Sequence, residues 1–464
     1  MACLRARARH LSRFALLAVP WLSGCHAEET TPVSVEPWAR AFGDGAAQTQ
    51  VHVAADAFGA LALGGTFSGT IDFGGGPLAD IFDLDSNVFL ASLDPDGGHR
   101  WSHAAGSLGA QIVTGAAFDG RGNAVFTGMF EDQIDLGTGP MIALSRDTFV
   151  ASVRPDGTAA WVQHFSADYG GPAGGGSSNP NGGVAVGGDG NIVLGGVFDG
   201  TFGFGGPVLD APEGEQGAFV AKLDASGEHV FTVGIGGGDA VVNAVAADAK
   251  GSVAVTGNHA ASIRLGDTTL FETEQGSFVA RLDPDGTPRW LIPITGPGTS
   301  DARAVAFGEG GDIFVGGCFS TSVQIGDRTV TGTSERDGYV ARLSAAGVPA
   351  WAALVPSTCV NALAVAKSGH AIVGGQYTGA PQLGGGALPF TSLSGAFVAE
   401  MSGDGKLVEA TSFAHDGDVS AVHGIALADG ALFAAGVFAG TLATSPQPLT
   451  SAGSSDVFVV RLRE

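Results

Sequence analysis

Asn243, Arg303, Asn361 and His423 follow one another at steps of 60, 58 and 62 residues. Two amides, a guanidinium and an imidazole at such regular spacing are groups that grip a small ligand or a glycan by hydrogen bonds. Val51, Thr114 and Gly182 extend the series towards the N-terminus. The plainer alternative is a rim of solvated side chains. A second candidate chemistry is calcium binding. Asp94-Pro-Asp96-Gly97, Asp283-Pro-Asp285-Gly286 and Asp83-Leu-Asp85 place carboxylates two apart. Calcium takes about six to eight oxygens, and its helix-flanked loop closes with a bidentate Glu. None of these segments has that pattern, and Asp-Gly turn chemistry accounts for them. No metal or other cofactor is expected.

Catalytic motifs are absent too. There is no G-x-S-x-G, no H-E-x-x-H and no C-x-x-C, and the 11 His are scattered. The expectation is a non-catalytic protein. The alternative is an enzyme acting on envelope or extracellular sugar, a hydrolase or lyase. Its site would be drawn from several copies of a repeat at one mouth and would leave no local motif.

The regular spacing comes from a unit present seven times. Its third strand carries an aromatic-Val-Ala signature at Phe89, Phe149, Phe219, Phe278, Tyr339, Phe397 and Phe458. Its second strand ends in small-Gly-x-aromatic, from Gly64 to Ala435, with His259 replacing the aromatic once. Between them lies an arm such as Leu265-Gly-Asp-Thr-Thr-Leu270. The cleanest copy, Val242–Thr295, reads as four short strands joined by Asp-Gly turns. A fixed period of this kind decides the architecture.

The fourth strand decides the topology. Trp or Phe falls twelve residues after the third-strand aromatic at Trp101, Trp161, Phe231, Trp290 and Trp351. Glu409 stands there in the sixth copy, and the chain stops too soon for a seventh. The missing strand is at the front, where Trp38 in Pro-Trp-Ala-Arg precedes every other element. An array offset by one strand gains from closing into a ring, because both ends then share a sheet and no edge is left free. The expected fold is all-β, a seven-bladed β-propeller of four-stranded antiparallel blades over 37–464. The N-terminal strand completes the last blade.

Residues 1–24 read as a signal peptide, with Arg5, Arg7, Arg9 and Arg13 before the apolar Phe14–Leu22. Residues 25–36 follow as Cys25 and a polar tether. Cys318 and Cys359 are placed at the same end of neighbouring sheets, and an exported setting permits a bridge between them. Two separate buried thiols are the alternative. The Gly/Ser/Asn-rich insertion Tyr169–Gly183 is expected to be a loop. Net charge is −24, from 22 Lys and Arg against 46 Asp and Glu. Nucleic acid needs basic patches and is excluded as a partner. The charge favours a soluble monomer.

Leu22-Ser-Gly-Cys25 resembles a bacterial lipobox. That resemblance implies lipid attachment at Cys25 and a membrane anchor through it. His26 rather than Asp, by analogy with enteric bacteria, favours the outer membrane. Gly190-Asn191-Ile-Val-Leu-Gly-Gly-Val-Phe198 and Phe219-Val-Ala-Lys-Leu-Asp224 resemble the β-propeller repeats of SBBP type found in cell-surface lipoproteins of myxobacteria and their relatives. The resemblance implies an exported lipoprotein at the outer membrane or cell surface of a Gram-negative bacterium. It implies no activity. The expected role is a scaffold for an unknown protein or polysaccharide partner.

Overall fold

A computed structural model describes residues 36–80, 86–165, 167–168, 183–211, 216–236, 240–260, 262–266, 268–270, 275–413, 419–428, 430–445 and 447–462. The chain divides after Val35. The signal segment, Cys25 and most of the Tyr169–Gly183 insertion lie outside the described residues, as do Asp83 and Asp85. The described part is all-β, built of antiparallel sheets, with no α-helix among the described residues.

The fourth repeat sets the pattern. Val241–Ala247, Val253–His259, Gly276–Leu282 and Pro288–Thr295 pair antiparallel in that order. The order recurs from Gln48–Ala55 to His99–Ala105, from Gln111–Phe118 to Ala159–Phe165, and from Ser300–Phe307 to Pro349–Val355. Near the C-terminus, Val419–Ala428, Ala431–Ala439 and Asp456–Leu462 pair likewise. Trp38–Phe42 then pairs antiparallel with Asp456–Leu462, with Trp38 opposite Arg461 and Phe42 opposite Val457.

The repeated signatures have one physical reason. Each second-strand Gly lies opposite the third-strand aromatic, as Gly257 does Phe278 and Gly436 does Phe458. A Cβ on Gly257 would sit 1.8 Å from the Val241 carbonyl oxygen and 3.0 Å from the Phe278 ring. Only a residue without a side chain fits there. Beside that close approach the first strand carries an extra residue. Register shifts fall between Val113 and Gly115, Val242 and Ala244, Ala302 and Ala304, Val360 and Ala362, and Val422 and Gly424. These are β-bulges, which push one side chain out of the alternation.

First strands of successive repeats pack side by side. Gln48–Ala55 lies against Gln111–Phe118, that against Val184–Val186, and so on through Val241–Ala247, Ser300–Phe307 and Thr358–Val365 to Val419–Ala428. Val419–Ala428 in turn lies against Gln48–Ala55. The apolar core is correspondingly a series of layers between sheets. One layer joins Phe433 and Val459 to Leu61, Leu63 and Phe89, uniting the last repeat with the first. Sheets covered on both faces need near-continuous apolar strands, and every residue of Asn87–Leu93 is buried.

The arm does more than connect strands. Ile263–Leu265 and Thr268–Leu270 form a small hairpin whose Leu265 pairs with Ile235 of the preceding repeat. Ile325 pairs with Ile294 in the same way. The arm thus covers the edge strand of its neighbour.

At the rim, a cation and an aromatic reach the next repeat together. Trp351 Nε1 and Arg342 Nη1 both donate to the Gly403 carbonyl, at 2.9 Å each. Trp290 Nε1 and Arg281 Nη1 both donate to the Ala345 carbonyl, at 3.1 Å each. Lys222 Nζ donates to Asp189 Oδ2 at 2.7 Å and to the Pro284 carbonyl at 3.2 Å. Trp38 Nε1 donates to the Pro95 carbonyl at 2.9 Å, so the first strand latches onto repeat one.

Candidate functional site

The bulges converge on a cavity of ≈ 180 Å³ between the first strands. Thr114, Asn243, Arg303, Asn361 and His423 are the extra residues of their strands, and all five line it. The four residues singled out by spacing are therefore together. The first-repeat alignment is corrected. There the register shift falls between Gln48 and Gln50, before Val51 rather than after it. The alternation moves by one residue, so Val51 is fully buried in the core while His52 lines the cavity. Gly183 lines it in the third repeat, and Gly182 lies outside the described residues.

The lining residues form a belt from strand to strand. Asn243 Nδ2 donates to the Ala302 carbonyl at 2.8 Å. Arg303 Nε donates to Asp301 Oδ2 at 2.6 Å, and its Nη1 to Asn361 Oδ1 at 2.8 Å. Asn361 Nδ2 donates to the Val422 carbonyl at 3.2 Å, the residue before His423. Asp301 also accepts from Asn258 Nδ2 at 2.8 Å. Asp301 and His52 are the residues that sequence spacing missed. Asp301 stands two before Arg303 on the same strand, which was the available signal.

The two imidazoles are partly exposed to the cavity yet enclosed by its walls. Burial lowers His52 from 6.5 to about 4, the neighbouring His423 charge adds to this, and a Val113 backbone hydrogen bond opposes it. Burial takes His423 to about 4 as well, with the Arg303 guanidinium contributing. Both rings are neutral at pH 7, and each offers one donor and one acceptor. Sugar hydrolysis by the common route needs a pair of carboxylates flanking the bond. No carboxylate is among the lining residues, and nearby Asp301 is committed to Arg303 and Asn258. The cavity is also below the roughly 300–1,000 Å³ of sites that enclose a small molecule. It has room for the tip of a ligand rather than the whole of one.

The turn carboxylates do not converge on a cation. Asp94 faces Arg100 at 3.5 Å, Asp96 Oδ1 accepts from its own turn amide Gly98 N at 3.2 Å, and Asp285 Oδ1 from Thr287 N at 2.9 Å. Hydrogen bonds donated by the Thr287 backbone N–H first and its hydroxyl second hold the Asp285 carboxyl below its usual range. Among the described residues no cluster of three metal-ligating side chains occurs. Cys318 and Cys359 are joined in a disulfide, with Cα atoms 4.8 Å apart. It ties the second strand of repeat five to the first strand of repeat six.

No protein-family model matches the chain. No curated protein matches it either. Solved structures resemble it at low identity. Sqt1 from Chaetomium thermophilum is 14% identical with a TM-score of 0.43, over 92% of this chain and 99% of that one. The Dos1 propeller is 10% identical with a TM-score of 0.42, over 92% and 95%. A Synechocystis apocarotenoid oxygenase variant is 14% identical with a TM-score of 0.41, over 92% and 93%. Nothing about ligand or activity passes from them to this chain.

Proposed function

We propose that this protein is a non-catalytic, lipid-anchored β-propeller of the cell envelope, acting as a binding scaffold for a protein or polysaccharide partner. The propeller would have seven four-stranded blades and be closed by the N-terminal strand. Support for the ring comes from first strands that pack in chain order and return to the first one. The pairing of Trp38–Phe42 with Asp456–Leu462 points the same way. The observation that carries the binding reading is the belt of His52, Asn243, Arg303, Asn361 and His423 around one small axial cavity. Those groups suit a hydroxyl-rich or amide-bearing ligand tip. The anchor and address rest on the Cys25 lipobox and on the resemblance to SBBP-type surface lipoproteins.

Protease treatment of intact host cells, with Cys25→Ala as control, tests the address. The expected outcome is shaving of the wild-type chain and release or mislocalisation of the variant. Protection until the outer membrane is breached would turn the search to periplasmic partners. Glycan-array binding that is lost in Asn361→Ala and Arg303→Gln, both still folded, tests the site. Equal binding by both variants would remove the axial cavity as the site.

A further inference from the structure

The junction between repeats six and seven departs from the rim pattern. At the junctions leaving repeats three, four and five, the residue before the third-strand Leu is a cation and its cross-strand partner an aromatic. The register pairs are Lys222 with Phe231, Arg281 with Trp290, and Arg342 with Trp351. In repeat six the same register pair is Glu400 with Glu409. Among the described residues no hairpin follows Asp456–Leu462 to receive the pair, and the strand that pairs beyond it is Trp38–Phe42. At the junction leaving repeat five, the glycine of the receiving hairpin, Gly405 of repeat six, lies so close to the indole that a Cβ would sit 2.7 Å from Trp351. Among the described residues nothing corresponding lies there, and a groove of ≈ 910 Å³ opens.

The groove is an apolar floor with acidic walls. Ile372, Val398, Leu432 and Leu462 line it together with Glu400 and Glu409. Ala57 is on its edge, and the next residue, Phe58, is 88% exposed. Glu400 is engaged by the His370 imidazole, and Lys367 is the lysine in the wall. Glu409 is exposed and makes no hydrogen bond or ion pair among the described residues.

We propose that this groove is a peptide-docking site that takes from a partner the basic-aromatic pair which neighbouring junctions supply internally. The occupant is a cationic segment bearing Trp or Phe next to Arg or Lys. Three observations select it. The volume lies within the range of ligand sites. The apolar floor suits a ring, and an aromatic side chain with a polar end is the group that anchors interfaces. The uncommitted carboxylate selects a cation over an anion. The same charge argues against the acidic tether, with Glu28, Glu29 and Glu36, and against a second copy of a chain at −24. The site goes beyond the axial cavity and stands whether or not that cavity takes a ligand.

The test is calorimetric titration of the full chain with acetyl-Gly-Ser-Arg-Trp-Arg-Ser-Gly-amide. Saturable binding is expected, and replacing either both Arg by Glu or the Trp by Ala should weaken it at least about tenfold. Glu409→Trp supplies the ring internally. It should raise Tm and weaken peptide binding by about tenfold or more. Glu409→Gln, which keeps the shape, covers the case in which the Trp variant misfolds, and it should weaken binding several-fold. Equal binding by Glu409→Gln, or by the acidic peptide, overturns the proposal. Binding that appears only after deletion of residues 26–35 assigns the groove to the tether and also overturns it. A concentration-dependent dimer abolished by Glu409→Trp does so in favour of a second copy.

Discussion

Neighbouring repeats are held by different means at the rim and at the axis. At the rim of repeats four and five the same residue pair does the same job, with an indole and a cation sharing one carbonyl of the next hairpin. At the axis the bulge residue is a threonine, two asparagines, an arginine and a histidine, and each makes its own bond to the next strand or none. Contacts that recur imply a shared task, which is to keep sheets packed. Individual ones imply a surface free to acquire a task of its own. The rim is thus the architectural part of the molecule and the axis the part that differs from copy to copy.

The sharpest break in that comparison is Trp38→Ala. It removes the hydrogen bond to the Pro95 carbonyl and the packing on Phe433, whose ring centroid is 6.2 Å away. About 4 kcal/mol of stability should be lost, read as a lowered denaturant midpoint. An unchanged midpoint would mean that the first strand contributes little to holding the ends together.

Acid should strike the axis next. The unfolded chain protonates its histidines near 6.5, whereas His52 and His423 in the fold do so only near 4. Stability is therefore full above pH 6.5 and falls as pH drops towards 4, by at most about 3 kcal/mol per imidazole. Tm measured across that window should decline, and His52→Gln with His423→Gln should flatten the decline. A wild-type curve as flat as the double variant would mean that the cavity admits enough water to solvate the imidazolium.

A smaller loss is expected for Lys222→Met, about 2 kcal/mol by urea denaturation. The Asp189 partner is a quarter exposed and recovers part of its solvation. The smallest belongs to Asn243→Ala, about 1 kcal/mol for its bond to the Ala302 carbonyl. If Asn243→Ala instead cost as much as Trp38→Ala, the axis would be architectural too.

Legibility followed the same division. The rim and the sheet interiors were readable because identical constraints select identical residues. Gly257 faces Phe278 as Gly436 faces Phe458, so the period appears in the letters. Trp38 was readable because Pro-Trp-Ala-Arg has the sequence context of the fourth strands. The axial alignment matches the strands where a bulge recurs at the same place, as at Asn243, Arg303, Asn361 and His423. It was misread in repeat one, where the bulge lies earlier and His52 replaces Val51 in the cavity. A one-residue shift exchanges the two faces of a strand and leaves no mark in composition. Asp301 was missed because its role comes from contacts with Arg303 and Asn258, the latter from another repeat.

The disulfide also bears on the order of events in folding. Both sulfurs belong to residues 1% exposed, so an oxidant reaches them only while repeats five and six are still apart. Once the sheets have packed, neither oxidation nor reduction can proceed without local opening. The bond therefore keeps a record of the compartment in which those two repeats first met. Chains that packed in a reducing place would carry two thiols there that oxidise only as fast as that junction opens.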